Sequence, residues 1–211
     1  MSSSAIGLKG AQGNDALRNL INNAAFNEWN MGSTLELTSD KDTKMLVSTT
    51  DGWFIRYYPS NGTTADNLKV EKQPHTIGQT EVEGNPLYYT RIKAGKITSG
   101  VSGEDIVTFS QRIPNVRSIQ GESVALSFYA KGHTADEFGL GRDASDPVSV
   151  QGKEVALTND WIKYNLQFNI PSITGKEIGL AGENYTELNF VLQAGATTAS
   201  NRSLLGAIDG K

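Results

Sequence analysis

Hydrophobic and polar positions alternate along this chain with a period of two. The pattern is clearest over Ile106–Gly132. There Val107, Phe109, Gln111 and Ile113 share one parity, and Thr108, Ser110 and Arg112 the other. Beyond Ile119-Gln120-Gly121, Val124, Leu126, Phe128 and Ala130 alternate with Ala125, Ser127, Tyr129 and Lys131. Such alternation predicts two long strands, each with one face on a core and the other facing away, at the centre of a β-sandwich. The same parity recurs in Trp53, Ile55 and Tyr57, in Ile162, Tyr164, Leu166, Phe168 and Ile170, and in Leu188, Phe190 and Leu192. Shorter runs occur around Leu35–Leu37, Met45–Val47, Leu68–Val70 and Leu87–Ala94, with a further strand expected near Phe138–Leu140.

Turn residues separate these runs. Asp51-Gly52, Asn61-Gly62, Gly84-Asn85-Pro86 and Pro171 each close or open one. The segment 22–32 sets Phe26 and Trp29 among Asn and Gly, which suits a loop that plugs one end of a core. Helical spacing is confined to Ala16, Leu17, Leu20 and Ile21 behind Asn14 or Asp15, and an edge strand over Leu17–Ile21 is the alternative. The expected architecture is all-β, a single antiparallel jelly-roll sandwich over 18–211 with about ten to twelve strands and at most one short N-terminal helix. Residues 1–17, small, polar and Gly-containing, are expected as a flexible arm and an attachment element.

Composition changes this picture little. Of 211 residues 22 are Gly and 6 Pro, which fits many turns, and 37% are hydrophobic, enough for a core. The net charge of −4 and the scattering of Lys and Arg argue against nucleic acid as a partner. The absence of cysteine excludes disulfides and thiolate metal sites. No apolar run approaches the roughly 18–20 residues of a membrane-spanning helix, and the first residues lack a signal-peptide layout. Release in a particle by lysis would therefore suit a protein that works outside a cell.

Catalytic patterns are missing. The sequence holds no nucleophile elbow, phosphate-cradling loop or zinc-protease motif, and its two histidines, His75 and His133, are read as solvated loop residues. Adjacent acids such as Glu104-Asp105 and Asp136-Glu137 would point to opposite faces of a strand, the wrong geometry for a facing pair. No enzyme activity and no cofactor are expected. Asn27, Glu28, Asp40, Asp42, Asp143 and Asp146 offer oxygen ligands for a structural calcium ion, but no EF-hand spacing accompanies them.

Sugar-binding sandwiches set aromatic rings against pyranose faces and use polar neighbours for the hydroxyls. The candidates on the outward parity are Trp161, Tyr89 with Arg91, and Tyr129 with Lys131. Covering a strand edge, or packing on a second sheet or subunit, is the competing role for these rings; Trp29 and Trp53 are expected in the core.

Several blocks, in order, resemble a jelly-roll module of bacteriophage tail-fibre, appendage and head-fibre proteins. They are Asn19-Leu20-Ile21-Asn22 with Phe26–Gly32, then Thr50–Phe54, then Phe109–Ile113 with Gly121–Gly132, and more weakly Trp161–Tyr164, Ile170–Ser172 and Leu188–Gly195. The resemblance spans about residues 18–208 and implies a galactose-binding-like or carbohydrate-binding-module-like sandwich. It implies a virion protein: a fibre, knob or decoration subunit, homo-oligomeric with a trimer as the first expectation. Its partners would be other virion proteins and host-surface glycans. A carbohydrate-binding module for adhesion is the alternative, and a polysaccharide depolymerase a more distant one. Two departures stand out. Asn27 and Glu28 replace the usual acid and apolar residue, and the chain stops soon after Ile208, where the module adds a closing strand. Either that strand is dispensable, or a neighbouring subunit supplies a partner for the edge so exposed, which is expected to be covered.

Overall fold

A computed structural model describes residues 2–10, 19–37, 45–58, 64–65, 68–93, 97–98, 106–132, 136–143, 150, 152–175, 185–194 and 208–210. Its strands are β1 (Ser2–Gly10), β2 (Thr34–Leu37), β3 (Met45–Ser48), β4 (Trp53–Tyr58), β5 (Thr64–Ala65), β6 (Leu68–Pro74), β7 (Tyr88–Lys93), β8 (Ile97–Thr98), β9 (Ile106–Pro114), β10 (Ser123–Lys131), β11 (Asp136–Asp143), β12 (Lys153–Val155), β13 (Ile162–Asn169), β14 (Tyr185–Ala194) and β15 (Ile208–Gly210). One sheet runs β13-β10-β1-β7-β6-β2 and the other β12-β11-β14-β9-β4-β3, all neighbours antiparallel, with β15 added parallel to β11 and β5–β8 forming a small separate pair. The protein is an all-β sandwich. Among the described residues the sole helical element is a 3-10 turn at Val116–Ser118. Of the N-terminal helix expected over 14–21, residues 14–18 lie outside the described residues; Asn19 makes a single bridge, and Leu20 and Ile21 are not helical.

The core lies between the sheets. Trp53 of β4 stacks on Phe109 of β9 with ring centroids 4.6 Å apart and planes 9° from parallel. Phe26 leans on both, at 5.5 and 6.0 Å. Phe128 of β10 meets Phe190 of β14 edge-on at 5.3 Å, so one ring from each sheet closes the layer. Aromatic side chains bury more apolar area than any others, and these offset and edge-on pairings add to that burial.

The strands over Ile106–Gly132 form as the alternation predicts, but they do not pair with each other. β9 lies inside the second sheet between β14 and β4, and β10 inside the first between β13 and β1. The connection through 115–122 is too long for a two-residue hairpin. It turns at Asn115 (φ 62°) and Gly121 (φ 72°) and is tied to the far end of β13 by Gly121 N–H to the Pro171 carbonyl (3.2 Å) and Ile170 N–H to the Glu122 carbonyl (2.8 Å). Val107, Phe109 and Ile113 therefore face Val124, Leu126 and Phe128 across the core, and all are buried.

Residues 2–10, expected as part of a loose arm, instead form β1 in the middle of the first sheet, with Ile6 and Leu8 in register with Phe128 and Leu126. Two apolar residues among Ser and Gly carry too short an alternation to signal a strand. Their pairing comes from β10 on one side and β7 on the other.

The end plug expected at 22–32 is present. Gln111 of β9 turns its amide inward, accepting the Asn22 N–H at 2.8 Å and donating to the Asn22 carbonyl at 2.9 Å. The Trp53 indole N–H donates to the same carbonyl at 3.2 Å. Asn23 donates to the carbonyls of Glu28 and Asp51 and to the Thr50 hydroxyl, while its own oxygen accepts from the Glu28 N–H. Asn30 binds the Asp51 carboxylate. Gly52 sits where these meet: at φ +80°, a Cβ there would lie 3.0 Å from the Asn22 side-chain nitrogen, so glycine is required on two counts.

Candidate functional site

Adjacent strands of the first sheet turn their even-numbered and odd-numbered residues alternately to core and outside. On β10 the core takes Val124, Leu126, Phe128 and Ala130, which leaves Tyr129 and Lys131 on the outer face. Register carries Lys163 of β13 opposite Tyr129, and on the far side of β1 it aligns Arg91 with Ser2, which itself aligns with Lys131. Tyr89 and Gln73 form the next outward pair on β7 and β6. All five residues expected as glycan candidates thus share one sheet face.

Three of them meet. The Trp161 ring lies 5.2 Å from Tyr89, edge to face, and the Lys131 ammonium stands 5.0 Å from the Trp161 ring centroid. A fourth member joins from the segment after β6. The His75 ring packs 4.9 Å from Tyr89 and 5.2 Å from Trp161. His75 is half-buried rather than the solvated loop histidine expected, and its Nε2 is shielded with no hydrogen-bond partner. Burial and the Lys131 charge hold its imidazole below the ordinary 6.5, against an opposing pull from Glu81. His133 lies outside the described residues.

Trp161 is only 8% exposed although it stands on the outward parity. A strap over 75–87 accounts for this. The strap is closed at its neck by His75 N–H to the Leu87 carbonyl (2.9 Å). It crosses toward β10 and β13, where Glu83 takes an ion pair from Lys163 at 2.6 Å and a hydrogen bond from the Tyr129 hydroxyl at 3.3 Å. Lys163, by hydrogen bond and charge, keeps the Glu83 carboxyl below the usual carboxylate range. Val82 of the strap is buried, at 1% exposure, apart from the main core cluster.

The remaining two candidates are held elsewhere on the same face. Tyr129 is occupied by Glu83 and lies 5.6 Å from the Lys163 ammonium. Arg91 grips Glu71 through Nε (2.7 Å) and Nη2 (2.6 Å), and Lys69 (3.2 Å) and Lys93 (3.8 Å) add to the same carboxylate. Burial pushes the Glu71 carboxyl up, and the hydrogen bonds from Arg91 and Lys69 outweigh it, so the group is held low and charged. The outer face therefore carries an aromatic cluster of Trp161, Tyr89 and His75, with Trp161 covered, beside a saturated carboxylate.

The opposite sheet carries a polar cluster that the alternation did not single out. On its outer face Arg56 Nη2 reaches both Glu187 oxygens, at 2.8 and 3.0 Å, and Arg112 Nε adds a third contact at 3.2 Å. Arg112 also lies over the Tyr185 ring at 4.3 Å. Thr108, Ser110 and Asn189 form a hydrogen-bonded row beside them, and all three are buried together with Glu187. Only the register β4-β9-β14 reveals this, since it places single charges from three distant segments side by side. Two guanidinium groups thus share one buried carboxylate.

Among the described residues no group of His, Asp or Glu could hold a metal ion. Of the oxygen ligands considered for calcium, the Asn27 carbonyl accepts from Lys72 (2.9 Å) and the Glu28 carbonyl from Thr50 (2.6 Å), while Asp40, Asp42 and Asp146 lie outside the described residues. Comparison of the chain with protein-family models, with curated proteins and with solved structures gives no match in any of the three.

Proposed function

We propose that this chain is a non-enzymatic structural protein of a bacteriophage particle, a fibre, knob or decoration subunit that meets host-surface glycans through the outer face of its first sheet. The observation that carries the glycan part is the meeting of Trp161, Tyr89, His75 and Lys131 on one face. Aromatic rings with cations and amides at their margins suit the two-sided chemistry of sugars, apolar on ring faces and polar at hydroxyls. The virion part rests on the resemblance of the ordered sequence blocks. Three of those blocks supply the plug and its anchor: Asn22 and Phe26 come from the first, Thr50, Asp51 and Trp53 from the second, and Gln111 from the third. Jelly-roll wiring and a trimeric assembly belong to the same proposal, and the connections that cross between sheets are compatible with it.

Three experiments test this reading. Calorimetry against host-surface polysaccharide should give binding that Trp161→Ala and Tyr89→Ala weaken together; binding unchanged in both variants would remove the site. Immunogold labelling of purified particles should decorate one appendage or vertex, and unlabelled particles would remove the virion assignment. Incubation with the polysaccharide should release no new reducing ends, and their appearance would favour the depolymerase.

A further inference from the structure

The strap over 75–87 is tied down by groups that titrate, whereas the buried side of the plug at 22–32 is held by neutral amides, with the Asp51 carboxylate and Lys72 only at its exposed rim. The strap bends at Gly78 (φ +75°) and Gly84 (φ +80°) and is closed at its neck by a single backbone hydrogen bond. Its middle is braced internally by the Gln79 side chain, which accepts the Val82 N–H (2.8 Å) and donates to the Val82 carbonyl (3.0 Å). It thus has the form of a compact surface loop that can move as a unit. Its far side is tied down by the Glu83–Lys163 pair, both partners exposed. Its near side is tied by the His75 ring between Tyr89 and Trp161.

His75 is the sensitive point. A neutral imidazole can leave Nε2 as a bare lone pair against aromatic walls. A protonated one carries N–H donors on both nitrogens, and a buried donor without an acceptor is costly. The charged and titratable groups around it are Lys131 on β10, Glu81 on the strap and Tyr89 on β7. Lys131 already occupies the Trp161 ring as a cation, so a second positive charge there is opposed.

We propose that the strap is an acid-released lid over the Trp161–Tyr89 surface, with His75 as its trigger. The closed state is favoured while His75 is neutral, above the ordinary 6.5 of an exposed histidine, and loses ground as the pH falls below that value, because the open state binds the proton more tightly. Opening presents the rings of Trp161 and Tyr89 together with the Lys131 ammonium. A ligand that needs those rings binds the open state and shares its proton dependence. The inference rests on reading this face as the ligand surface, and its test does not require a ligand.

Hydrogen exchange, corrected for the intrinsic effect of pH, reads the lid directly. Between pH ~7.5 and ~5 the amide of residue 75, whose bond to the Leu87 carbonyl closes the neck, should lose protection several-fold while those of β9 and β10 keep theirs. His75→Phe, which retains a ring but cannot titrate, should hold the strap protected at both values. Lys131→Gln should move the midpoint of the loss upward, toward 6.5. Equal protection at both pH values, an unchanged loss in His75→Phe, or simultaneous loss in β9 and β10 would each overturn the lid. If His75→Phe does not fold, the upward shift in Lys131→Gln carries the test, and no shift there overturns the lid. Calorimetry then separates the two readings: the pH-dependent exchange without glycan binding at either pH leaves the lid and removes the glycan surface, and glycan binding of equal strength at both pH values does the reverse.

Discussion

The plug at 22–32 and the strap over 75–87 are both loops laid across the sandwich, and both involve a tryptophan. They differ in what holds them. The plug sends Phe26 to the centre of the core at 0% exposure, and its backbone is fixed by the amides of Asn23 and Gln111 and the hydroxyl of Thr50. None of those groups changes charge over the range in which proteins stay folded. The strap sends Val82 under itself, apart from the main core, and is tied by an imidazole and by an exposed ion pair. Neutral buried amides give a permanent joint, while titratable groups at the surface give one that solution conditions can loosen.

That contrast can be broken at several strengths. Phe26→Ala removes the ring that touches both Trp53 and Phe109 and should cost about 3–5 kcal/mol in urea unfolding, with loss of the whole transition rather than of one loop. Gln111→Leu keeps the volume but strands the Asn22 N–H and carbonyl; about 1–3 kcal/mol is expected, read as a lower denaturation midpoint at unchanged slope. A pH series of thermal unfolding sharpens the other side. Wild type should lose stability as pH falls below 6.5, since the depressed His75 binds its proton more readily in the unfolded chain, and His75→Phe should flatten that limb. The smallest effect is expected from Glu83→Gln. The Glu83 attraction to Lys163 is present above the ordinary carboxylate value of 4.5 and fades as pH falls through its lowered folded value. The variant should leave the thermal midpoint unmoved at neutral pH and show itself only as faster exchange at the strap.

Much of this was legible in the alternation. The core faces of β4, β9, β10 and β14 follow parity, β13 follows it except at the exposed Ile162, and the plug follows from Phe26 and Trp29 set among turn formers. What parity cannot carry is which strands are neighbours. The adjacency of β9 and β10 in sequence suggests a pair, yet each finds its partners in a different sheet. The Arg56–Glu187–Arg112 cluster was hidden for the same reason, as was the placing of Arg91 beside Glu71 rather than beside Tyr89. Trp161 shows a further gap. Parity put it outward, which is where it stands, but burial came from a loop more than seventy positions earlier in the chain, and the polar composition of that loop gave no sign of where it would lie. Residues 2–10 carry little apolar signal because a strand paired along its length with β10, and at Ser2 and Ser3 with β7, needs little apolar character of its own.

That insertion sets a timetable for biosynthesis. The slot for β1 is bounded by β7 and β10, so residues 2–10 cannot be seated until residues 123–131 have followed them out of the ribosome. At translation speeds of roughly 5–20 residues per second, the interval is on the order of 10 seconds. From the emergence of residues 88–93 until β10 follows, the nascent chain holds an open edge on β7, a docking place that residues 2–10 of another nascent chain fit as well as its own. Closely spaced ribosomes on one message would then favour strand exchange between sister chains, and slowing initiation should favour chains that close on themselves.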